Sequence, residues 1–144
     1  MDYKKHTLDK MMCLKNSIEK EFKKYQKVLV QKEEEYEKKK YFTVEHVIER
    51  LVSWLIMCHS MMGAIDRAEE IITHSNNLFH GGRNLIIDEL KDAEVVRIHA
   101  IGRRDLIHYS DKDYPENEKL IHKMAGRVNG FAMALTMLYN APDI

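Results

Sequence analysis

Apolar residues recur at three- and four-residue steps through most of the chain, which is the period of an α-helix. Between 7 and 40, Met11, Leu14, Ile18, Phe22, Tyr25, Leu29 and Tyr36 form one narrow stripe, interrupted by Lys32. The remainder of that segment is largely Lys and Glu, ending in KEEEYEKKK. This pattern predicts a long charged helix with a seam close to the coiled-coil type. Between 44 and 78, Val44, Ile48, Leu51, Leu55, Cys58, Met62, Ile65 and Ile72 make a broader face, widened by Val47, Val52, Trp54 and Met61. A helix apolar around so much of its circumference belongs at the centre, with neighbours on several sides. Thr43 is its expected N-cap, with Glu45 in the first turn. His80-Gly81-Gly82 is expected to stop it through the positive φ that glycine supplies.

A third helix is predicted from Asn84 to about Ile101, on Leu85, Ile86, Leu90, Ala93, Val96 and Ala100. The run VVRIHAI over 95–101 also alternates as a strand does, but nothing nearby offers a partner strand, so helix is the preferred reading. YSDKDYP over 109–115 reads as a loop, with Asp113 and Glu116 at capping-box spacing and Pro115 in the first turn of the next helix. A fourth helix over 116–140 carries Leu120, Met124, Val128, Phe131, Leu135 and Leu138 on one face. Its second line, Gly126, Gly130 and Ala134, admits another helix closely, either within the chain or across a dimer seam. The prediction is an all-α, single helical domain over 1–144, with a long Lys/Glu-rich helix over 1–42 and a bundle core over 43–144. The topology is an up-and-down bundle of about four main helices. The first helix is longer than its neighbours are expected to cover. It should project or pack on another chain, which points to a homodimer or higher homo-oligomer, or to a protein partner held by that helix.

Composition narrows the classes. The chain has 144 residues and 17.0 kDa, 44% of them hydrophobic and 32% charged, with only six Gly and two Pro. That excludes collagen-like, low-complexity and disordered chains. Basic and acidic residues number 23 each, so there is no overall pull toward nucleic acid or membrane. The distribution is uneven: residues 1–42 hold twelve Lys and eight acids, and the rest hold eleven basic and fifteen acidic groups. Two cysteines, Cys13 and Cys58, are too few for a disulfide scaffold, so a cytoplasmic location is the simplest expectation. The first residues lack the apolar core of a signal peptide. The apolar run from Leu51 to Ile65 falls short of the roughly 20 residues that cross a bilayer, so no membrane contact is predicted.

Eight histidines invite a metal reading, but they are dispersed. There is no Glu-x-x-His and no HExxH, so no metal site is predicted. GxSxG and a Walker loop are likewise missing from the sequence, and no cofactor is predicted. Gly81-Gly82-Arg83-Asn84 places backbone N–H groups and an Arg at a helix start, where they can hold a phosphate oxygen or simply form a cap. The richest cluster is Gly102-Arg103-Arg104-Asp105-Leu106-Ile107-His108-Tyr109, with His99 one turn upstream. Arg grips phosphate bidentately and His moves a proton near neutral pH. Those residue types suit phosphodiester cleavage or plain phosphate binding, with Asp105 offsetting part of the charge. His59, inside the most apolar stretch, is expected to be a satisfied core histidine or to line a pocket between helices.

Arg103 and His108, with four residues between them and Leu106 and Ile107 before the histidine, resemble the signature of the HEPN family of helical-bundle ribonucleases and nucleotide-transfer partners. Arg104 stands where that signature often has Asn, and Tyr109 follows His108 directly rather than two residues on. The resemblance implies a helical bundle that dimerises so that two signatures face each other across a cleft, each at a helix start. It implies metal-independent RNA cleavage, as a ribonuclease or a toxin or defence-type nuclease component. Arg103 is then expected on the scissile phosphate and His108 on the ribose 2′-hydroxyl or the leaving oxygen. The residues themselves also fit a non-catalytic helical oligomer that binds an anionic ligand such as a nucleotide, or a protein partner. Such a protein would act as an inhibitor or sequestering, anti-defence-type factor, with His99, Arg104, Tyr109 and Arg83 lining its site. A third reading is a structural interaction protein working through its long first helix.

Overall fold

The computed structural model describes residues 2–39, 42–76 and 81–139. They form four helices, α1 (Tyr3–Lys39), α2 (Phe42–His74), α3 (Arg83–Arg104) and α4 (Asp113–Tyr139), and no strand occurs among the described residues. The all-α bundle with a long N-terminal helix is therefore observed. The segment 95–101 is helical, because Ile86, Ala93 and Ala100 recur at seven-residue steps and all three are buried. α3 runs one turn further than its apolar pattern predicted. Arg103 and Arg104 sit favourably at the negative end of its dipole.

The helix ends differ from expectation in three places. Thr43 lies inside α2 rather than capping it. Gly82 adopts φ −62° and ψ −49°, right-handed values, so it leads into α3 and does not end α2 through a positive φ. His80 lies outside the described residues. At the start of α4, the Asp111 carboxylate accepts the Asp113 N–H at 2.9 Å. Asp113, Pro115 and Glu116 then make up the first turn, with both acids at the positive end of the dipole.

α1 and α2 run antiparallel, tied by Lys15 to Asp66 at 2.7 Å and by Lys4 Nζ donating to the Thr73 carbonyl at 3.1 Å. Tyr25 meets Trp54 edge to face further along. Val30 and Tyr36 of α1 and Ile48 of α2 line one groove beyond that, so α1 has α2 beside it toward both ends and is not the projecting rod its length suggested. α3 and α4 are antiparallel too, joined where Asn117 Nδ2 donates to the Ala100 carbonyl at 2.7 Å.

The two hairpins meet through α2 and α4, which make the most extensive contact; α1 touches α4 lightly and α3 touches α2 lightly. In a square up-and-down bundle α2 and α4 would lie diagonally. Here they run parallel and in direct contact, in the order α1–α2–α4–α3. Glycine is the cause. A Cβ at Gly126 would overlap the Met57 carbonyl oxygen, and one at Gly130 would lie 2.7 Å from Ala64 Cβ and from the Met61 oxygen. Ser60 Oγ donates to the Lys123 carbonyl across the same contact at 2.5 Å. The Gly126, Gly130, Ala134 line is therefore an intrachain contact and not a dimer seam.

The core lies along this axis. Met11 and Ile18 of α1, Cys58, Ile65 and Ile72 of α2, Ile86 of α3, and Phe131 and Leu138 of α4 are buried in one cluster. Glu89 of α3 ties three helices: it accepts Arg67 Nε of α2 at 3.0 Å and a guanidinium N–H of Arg127 of α4 at 3.2 Å. Since α2 has close neighbours only in α1 and α4, its apolar circumference is not wholly covered. Val47, Val52 and Trp54 remain 37–39% exposed.

Candidate functional site

The Arg/His cluster occupies the tip of the α3–α4 hairpin. Arg103 and Arg104 form the last turn of α3, and the N–H groups of Leu106 and Ile107 both donate to the Arg103 carbonyl, closing the helix. His108 then lies in the connecting loop, so Arg104 and His108 do not share a helical face. The signature sits at a helix end rather than at the helix start implied by the resemblance.

Each predicted residue has a definite placement. Arg104 makes a fork-to-fork pair with Glu118 at 2.6 and 2.9 Å, and that hydrogen bonding holds its guanidinium above the ordinary Arg range. Both arms of the fork are thereby occupied, which leaves Arg104 a tie between α3 and α4 rather than an anion ligand. Arg103 is exposed, as is His99 one turn earlier. His108 is exposed and stacks on Tyr109, with ring centroids 4.5 Å apart. The Ser110 N–H donates to His108 Nδ1 at 3.2 Å, and the Ser110 hydroxyl lies 2.5 Å from the same nitrogen. That backbone bond makes Nδ1 an acceptor, which puts the neutral ring's proton on Nε2. Arg83 begins α3, twenty residues before Arg103 and so about 30 Å away along the axis. The structure brings Arg103, His108 and Tyr109 to one tip and leaves Arg83 at the far end of α3.

The tip carries no positive surplus. Between 103 and 113, Arg103, Arg104 and Lys112 are matched by Asp105, Asp111 and Asp113, and Glu118 adds a further acid on Arg104. Among the described residues, no three His, Cys, Asp or Glu side chains come together in a group able to hold a metal ion. Nor, among the described residues, is any helix long and apolar enough to cross a membrane.

Two surfaces lie outside the Arg/His cluster. One is a groove of 460 Å³ between α1 and α2, lined by Phe22, Leu29, Val52, Ile56 and His59 with Lys123 of α4 at its edge. His59 is exposed at this groove, 6.3 Å from the Phe22 ring, so of its two expected places it takes the pocket between helices and not the core. The other is the outer face of α3, where Leu85, Val95, Val96 and Ile98 are 41–55% exposed. The signal for both was an apolar surplus: α2 and α3 carry more apolar positions than one neighbour can cover. Compared with protein-family models, with curated proteins and with solved structures, the chain finds no match.

Proposed function

We propose that this protein is a non-catalytic helical interaction module whose working surface is α3 and the loop that follows it. The observation that carries this reading is the row of apolar side chains left in solvent on α3, Leu85, Val95, Val96 and Ile98. Large side chains in a row on one helix mark a surface for another protein. The electrostatics of the tip support the same choice. A polyanion gains affinity from uncompensated Lys and Arg, and here the acids of the loop and Glu118 balance the bases.

The competing reading is the HEPN-like, metal-independent ribonuclease using Arg103 and His108. It is favoured by the exposure of both residues on one tip beside the stacked Tyr109. Against it stand the occupied fork of Arg104 and a His108 ring whose Nδ1 is engaged by Ser110. A general base acting through Nε2 needs the opposite tautomer. The deciding experiment is an RNA-cleavage assay in EDTA on varied RNAs, with the wild type, Arg103→Ala and His108→Ala. The interaction-module reading expects no cleavage by any of the three. Cleavage by the wild type that leaves 2′,3′-cyclic ends and is lost in both variants overturns it.

A further inference from the structure

α3 packs on α4 with one side and turns the other to solvent. On that outer side Leu85, Asp88, Asp92, Val95, Val96, His99 and Arg103 are all exposed, and Leu106 follows in the closing turn at 87% exposure. Apart from the adjacent Val95 and Val96 at its centre, they succeed one another at three- and four-residue steps, so they form one stripe along the helix and into its closing turn.

The stripe is a palindrome about the midpoint between Val95 and Val96. Counted in residues, Leu85 and Leu106 are equally far from that point, as are Asp88 and Arg103, and Asp92 and His99. A two-fold axis there lays α3 antiparallel on the α3 of a second copy. Leucine then meets leucine at both ends, valine meets valine at the centre, and acid meets base between. We infer that α3 is the seam of a two-fold, antiparallel homodimer, in which Asp88 lies on the partner's Arg103 and Asp92 on the partner's His99. This rests on reading α3 as the working surface and names the partner it takes.

Charge complementarity selects this occupant. An isologous interface requires one patch to be complementary to itself, and this stripe is acidic in its first half and basic in its second, with the exposed Lys91 at its margin beside Asp88 and Asp92. Parallel copies would instead stack Asp88 on Asp88 and Arg103 on Arg103. Antiparallel packing also sets the two helix dipoles head to tail. The remaining carboxylates and guanidiniums of α3 are already engaged within the chain: Glu89 with Arg67 and Arg127, Glu94 with Arg97, and Arg104 with Glu118. Among the described residues, Asp88, Asp92, His99 and Arg103 make no such pair, and all four lie on the stripe.

The seam is small. Twenty-two residues give a helix about 33 Å long and about 10 Å wide, hence a few hundred Å² per protomer. That is below the roughly 800 Å² per partner of a standard stable interface. The dimer is accordingly weak, reversible and salt-sensitive. It also holds the two Arg103 residues apart: fifteen residues of antiparallel offset separate them by about 22 Å along the seam. Two signatures facing across one cleft are incompatible with this arrangement.

The test is sedimentation equilibrium of the full chain at low salt, from about 10 µM to about 1 mM, the range for an interface below standard size. The wild type is expected to show a monomer–dimer equilibrium. Arg103→Asp and Asp88→Arg should each weaken it by roughly tenfold to a hundredfold, since each reverses the sign of two pairs per dimer. An equimolar mixture of the two variants should regain wild-type affinity as a heterodimer, because acid again faces base at both positions. The double variant Asp88→Arg/Arg103→Asp should regain it as a homodimer. Both sites are exposed, so circular dichroism should report an unchanged fold. A wild type that stays monomeric across the range overturns the seam, as does a mixture no tighter than the single variants. RNA cleavage by a protein that nonetheless dimerises in this way would defeat the non-catalytic reading and leave the seam standing. A monomer that cleaves nothing would do the reverse.

Discussion

Replacing Gly126 with alanine adds one methyl group where α4 lies directly against the backbone of α2. The new Cβ would overlap the Met57 carbonyl oxygen and lie 2.9 Å from Met57 Cα, both of them backbone atoms of α2. No side chain can swing aside, so the helices themselves must part. Gly130 gives a lower bound on the movement: a Cβ there would lie 2.7 Å from Ala64 Cβ, and ordinary contact begins at 3.4 Å, so relief at that point would take about 0.7 Å, and the closer overlap at Gly126 takes more. That opening loosens Met61, Ala64 and Phe131 together, since all three are buried in the shared core. Overpacking of this kind costs about 1–3 kcal/mol. Alanine returns about 0.5–1 kcal/mol through its better helix propensity. Because the overlap is with backbone, the upper part of the overpacking range applies, and the net loss for Gly126→Ala is about 1–2.5 kcal/mol, a fall in Tm of roughly 3–10 °C for a chain of this size. Gly63→Ala is the control: it lies in the same helix system, has nothing within 4 Å of its Cβ, and should raise Tm by roughly 1–4 °C. Thermal unfolding followed by far-UV circular dichroism measures both. If Gly126→Ala stabilises the protein as Gly63→Ala does, the close α2–α4 contact is not what organises the bundle.

Three further outcomes are expected. Glu89→Gln removes the carboxylate shared by Arg67 and Arg127, and α3 has only a light contact with α2 besides. Amide hydrogen exchange in α3 should quicken while the α1–α2 hairpin keeps its protection; uniform exchange would count against this tie. Glu94 is held below the usual carboxylate pKa of 4.5 by its hydrogen bonds from Arg97. A depressed folded-state pKa contributes stability above about pH 4.5 that disappears as pH falls through the folded value. Glu94→Gln should therefore be less stable than the wild type at neutral pH, by a few tenths of a kcal/mol at this half-buried i, i+3 pair, and equal to it in acid. Denaturant melts at both pH values settle the point, and a difference that persists in acid contradicts it. Burial pushes the Cys58 thiol up in pKa and leaves it 1% exposed, whereas Cys13 is exposed. A thiol reagent should label Cys13 in the native protein and reach Cys58 only on unfolding; equal rates would place Cys58 wrongly.

Much of the architecture was legible in the order of residues. The three- and four-residue apolar steps located all four helices. Proline at 115, the acids around it and the polar loop before it placed the start of α4 within a few residues. The Arg103–His108 pair was legible as a cluster too, but its chemistry was not. Whether Arg104 is available for a ligand depends on Glu118, fourteen residues away and on another helix. The fate of Arg83 depended on where α3 begins, which sets it about 30 Å from Arg103.

Sequence alone determined that the chain is helical and which residues can be apolar neighbours, because period and propensity are local properties. The tertiary structure decided which helix each apolar face meets. Gly126, Gly130 and Ala134 would suit a dimer seam or an internal contact equally well. Only the position of Met57, Met61 and Ala64 assigns them to α2, and with that the order α1–α2–α4–α3. The same order leaves one side of α3 without a neighbour. Its exposed leucines, valines and unpaired charges follow from that placement, since burial and pairing depend on distances between elements that no local pattern encodes.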